Sequence, residues 1–117
     1  MRTFIIAATM SFVLLATAPA GAHATLDRAE PRVGSSVSSP PREVTLWFSQ
    51  KLEPSFSSAR VYNASGARVD QGRARVDGSV LHVSLKSLGP GTYRVRWRVL
   101  SVDTHTTEGS FTFRVGD

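Results

Sequence analysis

The 117-residue sequence predicts an all-β protein, a two-sheet sandwich of immunoglobulin-like size and about seven strands, preceded by a removable leader. Two observations carry the fold class. From Glu43 onward, apolar and polar residues alternate in short runs, and turn formers separate the runs at intervals of about eight to twelve residues. Past the leader, no stretch keeps an apolar period of 3.6 over three turns, and prolines at 31, 40, 41, 54 and 90 interrupt the candidates, so helix content is expected to be low.

The elements follow in order. Residues 1–22 differ chemically from the rest: Arg2, an apolar stretch from Phe4 to Ala18, then Ala20-Gly21-Ala22. A basic start, an apolar middle and an A-x-A end are the parts of a secretory signal, with the cut before His23. The run is shorter than the roughly 20 apolar residues a membrane anchor needs. Removing it leaves one domain of 95 residues, 23–117. Glu30 to Arg42, rich in proline, glycine and serine, is expected to be an ordered loop.

Val44, Leu46 and Phe48 share one face of the first clear strand, with Trp47 opposite. Ala59 to Tyr62 is the next strand, closed by the turn Asn63-Ala64-Ser65-Gly66. Arg68-Val69 begins a short third segment, and Leu81, Val83 and Leu85 line the inner face of a fourth. After Gly89-Pro90-Gly91 comes the strongest strand, with Tyr93, Val95, Trp97 and Val99 inward and Arg94, Arg96 and Arg98 outward. Phe111, Phe113 and Val115 form the last inward row.

Composition narrows the function. There is no cysteine, so burial alone holds the fold, and thiolate metal sites and cysteine nucleophiles are excluded. Without the leader's Arg2 the net charge is +4, a mild excess; no lysine/arginine cluster with interleaved aromatics suggests nucleic-acid binding. The arginine row at 94, 96 and 98 suits a solvated sheet face, and could also meet an acidic partner or anionic headgroups.

Three histidines remain in the processed chain, His23, His82 and His105. Cleavage before His23 would give that residue a free α-amine beside its imidazole, two nitrogens able to close a chelate ring. Nitrogen-rich tetragonal coordination is what Cu(II) prefers. Asp103-Thr104-His105 offers a carboxylate and an imidazole two residues apart, on one side of an extended chain. Together these are amine, imidazole, carboxylate and imidazole, a full equatorial set for one Cu(II) per chain. His82, opposite Leu81 and Val83, reads as a surface residue of its strand.

The sequence resembles the CopC/PcoC-type periplasmic copper-resistance proteins over nearly all of the processed chain. The resemblance rests on His23-Ala24-Thr25-Leu26, on Glu30-Pro31-Arg32-Val33-Gly34-Ser35, on Pro41 to Phe48, and above all on Tyr93 to His105 followed by Gly109-Ser110-Phe111-Thr112-Phe113. It implies a Greek-key β-barrel or sandwich in which His23, Asp103 and His105 hold Cu(II). It also implies a role in copper resistance or homeostasis, carrying or buffering copper, and a CopD-type inner-membrane partner. Two departures matter. Where many members have Phe-x-Glu, this chain has Phe48-Ser49-Gln50, so Gln50 can supply a hydrogen bond near the metal but no charge. Both methionines, Met1 and Met10, lie in the leader, which leaves no thioether for a Cu(I) site.

The expectation is therefore an exported, monomeric Cu(II)-binding protein, periplasmic or secreted, and not an enzyme. A copper monooxygenase with an N-terminal histidine brace is the main alternative, but 95 residues leave little for an extended substrate face. Ser101, Asp103 and His105 are too close in the chain for a nucleophile relay. A metal-free immunoglobulin-like interaction module is the third reading.

Overall fold

The computed structural model describes residues 23–116; the expected leader, 1–22, lies outside the described residues. Among the described residues, eight strands form two four-stranded sheets. In chain order they are β1 (Leu26–Glu30), β2 (Ser36–Val37), β3 (Glu43–Phe48), β4 (Ser58–Tyr62), β5 (Asp70–Asp77), β6 (Val80–Leu85), β7 (Gly91–Leu100) and β8 (Thr106–Val115). One sheet runs β1-β3-β6-β5 and the other β2-β8-β7-β4. One 3-10 turn, Pro54–Phe56, is the only helical element among the described residues, in keeping with the low helix content expected.

Alternation explains the core. Val44, Leu46 and Phe48 from β3 and Leu81, Val83 and Leu85 from β6 face Val61, Tyr93, Val95 and Val99 of the second sheet, and all are buried. Phe111, Phe113 and Val115 of β8 complete the layer. The Tyr93 hydroxyl donates to the Gly89 carbonyl at 2.6 Å, so the one polar atom of this buried ring is satisfied where the chain enters β7. Asp70 is buried as well, and accepts from the Val61 N–H at 2.8 Å and from Arg68 at 2.7 Å. It thereby ties the start of β5 in one sheet to β4 in the other.

Three details differ from the sequence expectation, each for a local reason. β1 and β2 raise the strand number to eight, because β1 buries a single small residue, Ala29, and β2 is two residues long and pairs in parallel with β8. The segment expected at Arg68-Val69 becomes the eight-residue β5, starting at Asp70. Its alternation is broken by Gly72, whose φ of 74° accompanies an irregularity in the β5–β6 register between Gln71 and Arg75. Trp97 faces inward as its parity demands but is only half-buried. Its indole lies against Gly109, its partner across the ladder, and meets Phe48 edge-on with ring centres 5.1 Å apart.

Candidate metal centre

The β7–β8 hairpin pairs ten residues a side, from Gly91 opposite Val115 to Leu100 opposite Thr106, and its turn carries Asp103 and His105. These two residues are not successive same-side positions of an extended chain, as their spacing suggested. Instead the chain turns tightly: the Thr104 N–H donates to the Ser101 carbonyl at 2.9 Å and the Ser101 N–H to the His105 carbonyl at 3.0 Å. Thr104 takes a φ of 72°, a left-handed conformation unfavourable for a β-branched residue, and this curls the two flanking side chains towards each other. Asp103 Oδ1 lies 3.7 Å from His105 Nδ1, and both side chains are about half-exposed.

Ser101 organises this turn. It is fully buried, its hydroxyl donates to Asp103 Oδ1, and the His105 N–H donates back to its oxygen at 3.3 Å. The Ser101 hydroxyl holds the Asp103 carboxyl below the usual carboxylate range, outweighing partial burial, with His105 adding to the effect. The carboxylate is therefore anionic at neutral pH. This hydroxyl is committed to the loop itself, so the Ser101-Asp103-His105 series has no relay geometry.

His23 arrives from the other end of the chain. Ala24 behind it is buried, and its carbonyl accepts from the Thr107 hydroxyl of β8 at 2.8 Å. Thr25 is clamped on the β3 side: its N–H donates to Ser49 Oγ at 2.9 Å and its carbonyl accepts the Ser49 N–H at 2.9 Å. So held, the His23 ring meets the His105 ring edge-on, with centres 4.6 Å apart. Two rings at that separation are within reach of a single ion bonded to each at about 2 Å. Among the described residues, no group of three or more His, Cys, Asp or Glu side chains is gathered as a metal site by itself. The expected set needs its fourth donor, the backbone nitrogen of His23, which is a free amine only in a chain that starts there.

The other sequence candidates lie where their strands put them. Gln50 follows Ser49 beyond the end of β3 and is half-buried. His82 stands on the outer face of the first sheet, its Nδ1 3.0 Å from Glu43 Oε1 and 3.3 Å from Thr45 Oγ1. Burial raises the Glu43 carboxyl, but hydrogen bonds from His82, Arg75 and Thr45 outweigh it and leave the group below its ordinary value. His82 thus belongs to a surface network apart from the His23–His105 pair. The roles of Ser101, Ser49 and Thr107 were not visible in the sequence. The one usable signal was a serine two residues ahead of the Asp103-Thr104-His105 triplet, and its meaning depends on the turn.

Known proteins resemble this chain in sequence and in fold. The chain is 38% identical over 105 residues to Protein YobA of Escherichia coli strain K12, covering 86% of this chain and 85% of that one. It is 35% identical over 123 aligned positions to Copper resistance protein C of Xanthomonas campestris pv. juglandis, covering 97% and 96%. The crystal structure of CopC from Methylosinus trichosporium OB3b superposes with a TM-score of 0.75 at 32% identity, covering 80% of this chain and 93% of that one. Residues 26–116, which hold the whole sandwich from β1 to β8, match the CopC domain. On its sequence and its fold alike, the chain belongs to the CopC domain family.

Proposed function

We propose that this chain is an exported Cu(II)-binding protein of copper resistance or homeostasis that carries or buffers one copper ion. Residues 1–22 are then a removable export signal, and the processed protein, beginning at His23, works outside the cytoplasm. Copper is cargo here. Its donors are the α-amine and imidazole of His23, the Asp103 carboxylate and the His105 imidazole, with Gln50 able to hydrogen-bond nearby. The observation that carries this reading is the contact between the His23 and His105 rings, 4.6 Å between centres, made by residues from opposite ends of the chain. An amine, two imidazoles and a carboxylate form a hard, nitrogen-rich set suited to Cu(II), and with both methionines inside 1–22 no thioether accompanies them. A relative named for copper resistance supports the same cargo. No helix among the described residues is long and apolar enough to cross a membrane. The partner to which the family resemblance points is a CopD-type inner-membrane copper protein.

The test compares two forms of the protein, one starting at His23 and one keeping a single residue ahead of it. In the second, the His23 nitrogen is an amide and cannot ligate without ionising. Titration with Cu(II), followed by Trp47 and Trp97 emission, is expected to saturate near one equivalent in the first form. The extended form is expected to bind much more weakly, with fewer nitrogens in its electron paramagnetic resonance spectrum. Identical affinity and spectrum in the two forms would overturn the assignment of the His23 amine.

A further inference from the structure

The outer face of the β4-β7-β8 sheet carries Arg60, Arg94, Arg96, Arg98 and Arg114, all exposed, against a single carboxylate, Glu108. The ladder register sets Arg60 directly opposite Arg96, an arrangement in which like charges repel. Among the described residues, none of these five arginines makes an ion pair; Arg94 and Arg114 reach only the hydroxyls of Ser110 and Thr92. The other sheet is handled differently. There Arg75 is bonded to Glu43, and Arg28 lies over the Trp47 ring at 4.4 Å. The arginine face also encloses a shallow depression of about 630 Å³, lined in part by Arg60, Tyr62, Arg96, Trp97, Arg98 and Glu108, so that three guanidinium groups outnumber one carboxylate at its walls.

We infer that this face docks the protein onto an anionic phospholipid surface. Guanidinium groups match phosphate oxygens in pairs, and a lipid headgroup layer offers phosphates at a density that one arginine row can follow. Arg94 to Arg98 extend over about 14 Å of β7, with Arg60 on the next strand about 4.8 Å to the side, giving a flat basic patch. Lasting protein interfaces are built around a desolvated apolar centre. The large hydrophobic side chains that are well exposed, Val33, Phe56 and Val102, lie outside the strands of this sheet. Charge alone is left to hold a partner, which is enough for a charged bilayer and salt-sensitive by nature. The inference does not depend on copper.

Protein recovered from cells expressing the full chain, its N-terminus checked by mass spectrometry, is mixed with two kinds of vesicle. One is phosphatidylcholine alone, the other equal parts phosphatidylcholine and phosphatidylglycerol. Binding is read by flotation at low and at physiological salt. The wild type is expected to float only with the acidic vesicles, less so as salt rises. The triple variant R60Q/R96Q/R98Q is expected to partition more weakly by on the order of a hundredfold. A second triple variant of equal charge, R32Q/R42Q/R73Q, places its changes off the face and is expected to keep binding. Equal loss in both variants would overturn the inference, reducing it to net charge. So would a wild type that ignores acidic vesicles yet is retained by immobilised polyglutamate through the same three arginines, which assigns the face to an acidic polypeptide. Circular dichroism melts of both variants confirm that any loss reflects the surface.

Discussion

Replacing Gly109 by alanine tests whether the Trp97 packing is as tight as the structure makes it. Gly109 has no unusual backbone angle, so the effect comes from space alone. A Cβ there would stand 2.5 Å from Cζ2 and 2.8 Å from Cε2 of the Trp97 indole, where ordinary contact begins near 3.4 Å. The ring has to retreat by about 1 Å, and on one side it is stopped by Phe48, a buried residue of the opposite sheet. Overpacking of this kind costs about 1–3 kcal/mol, and because Trp97 is half-buried and can yield towards solvent, the lower half of that range is expected. For a domain of this size each kcal/mol lowers the melting temperature by about 4–8 °C, so G109A is expected to melt roughly 5–15 °C below the wild type. Thermal unfolding by circular dichroism measures the shift, with S110A on the solvent face as a comparison that is expected to stay near the wild type. Trp emission is expected to change in G109A at low temperature, since the indole moves. An unchanged melting temperature together with unchanged emission would refute the reasoning and show that the indole has free room.

The remaining predictions concern the metal centre and Asp70. H105A is expected to weaken Cu(II) binding far more than H82A in a chelator competition assay, with both variants folded; equal losses would remove His105 from the donor set. S101A is expected to lower Cu(II) affinity without removing any donor atom, because Asp103 and the His105 backbone lose their shared hydroxyl; unchanged affinity would show that the turn holds itself. D70A is expected to destabilise the fold by about 1–3 kcal/mol in denaturant titrations, mostly through the Val61 N–H left buried without its acceptor, since half-exposed Arg68 returns to water. Burial raises the Asp70 carboxyl, but Arg68 and the Val61 N–H bring it below its ordinary value. Its ionised form therefore stabilises the fold above the unfolded-state pKa, near pH 4, and that contribution is lost as pH falls through the folded value. The stability difference between wild type and D70N is expected to shrink below about pH 4, and a gap that widened there would contradict the sign.

Much of the sandwich was legible because its central strands bury one face each. Leu81-Val83-Leu85 and Tyr93-Val95-Val99 announce their parity in the sequence, whereas β1 shows one buried alanine and β2 is too short to alternate. The candidate donors were legible for a different reason: His23 follows a cleavage pattern and Asp103 and His105 form a compact triplet. What holds them was not. The left-handed Thr104, the inward hydroxyl of Ser101, and the clamps from Ser49 and Thr107 depend on which backbones become neighbours, and no local pattern reports that. The same limit hid Arg60 from the row at 94, 96 and 98, because only the β4–β7 register sets it opposite Arg96.

The clamp between Ala24 and Thr107 joins positions 83 apart, and this imposes an order on events as the polypeptide is made. A chain growing from its N-terminus presents His23 early, yet the neighbour that completes the imidazole pair sits on the final hairpin. Until β8 has zipped against β7, His23 is one isolated ring on an unfinished thread. Long-range closure of this kind comes late in folding, after the local hairpins have repaid their own loop entropy. A metal ion held by both rings, as proposed, would need β8 in place before it could be bound. In the proposed site, a half-made or truncated chain lacks the second imidazole, and loading would report that the last strand is in place.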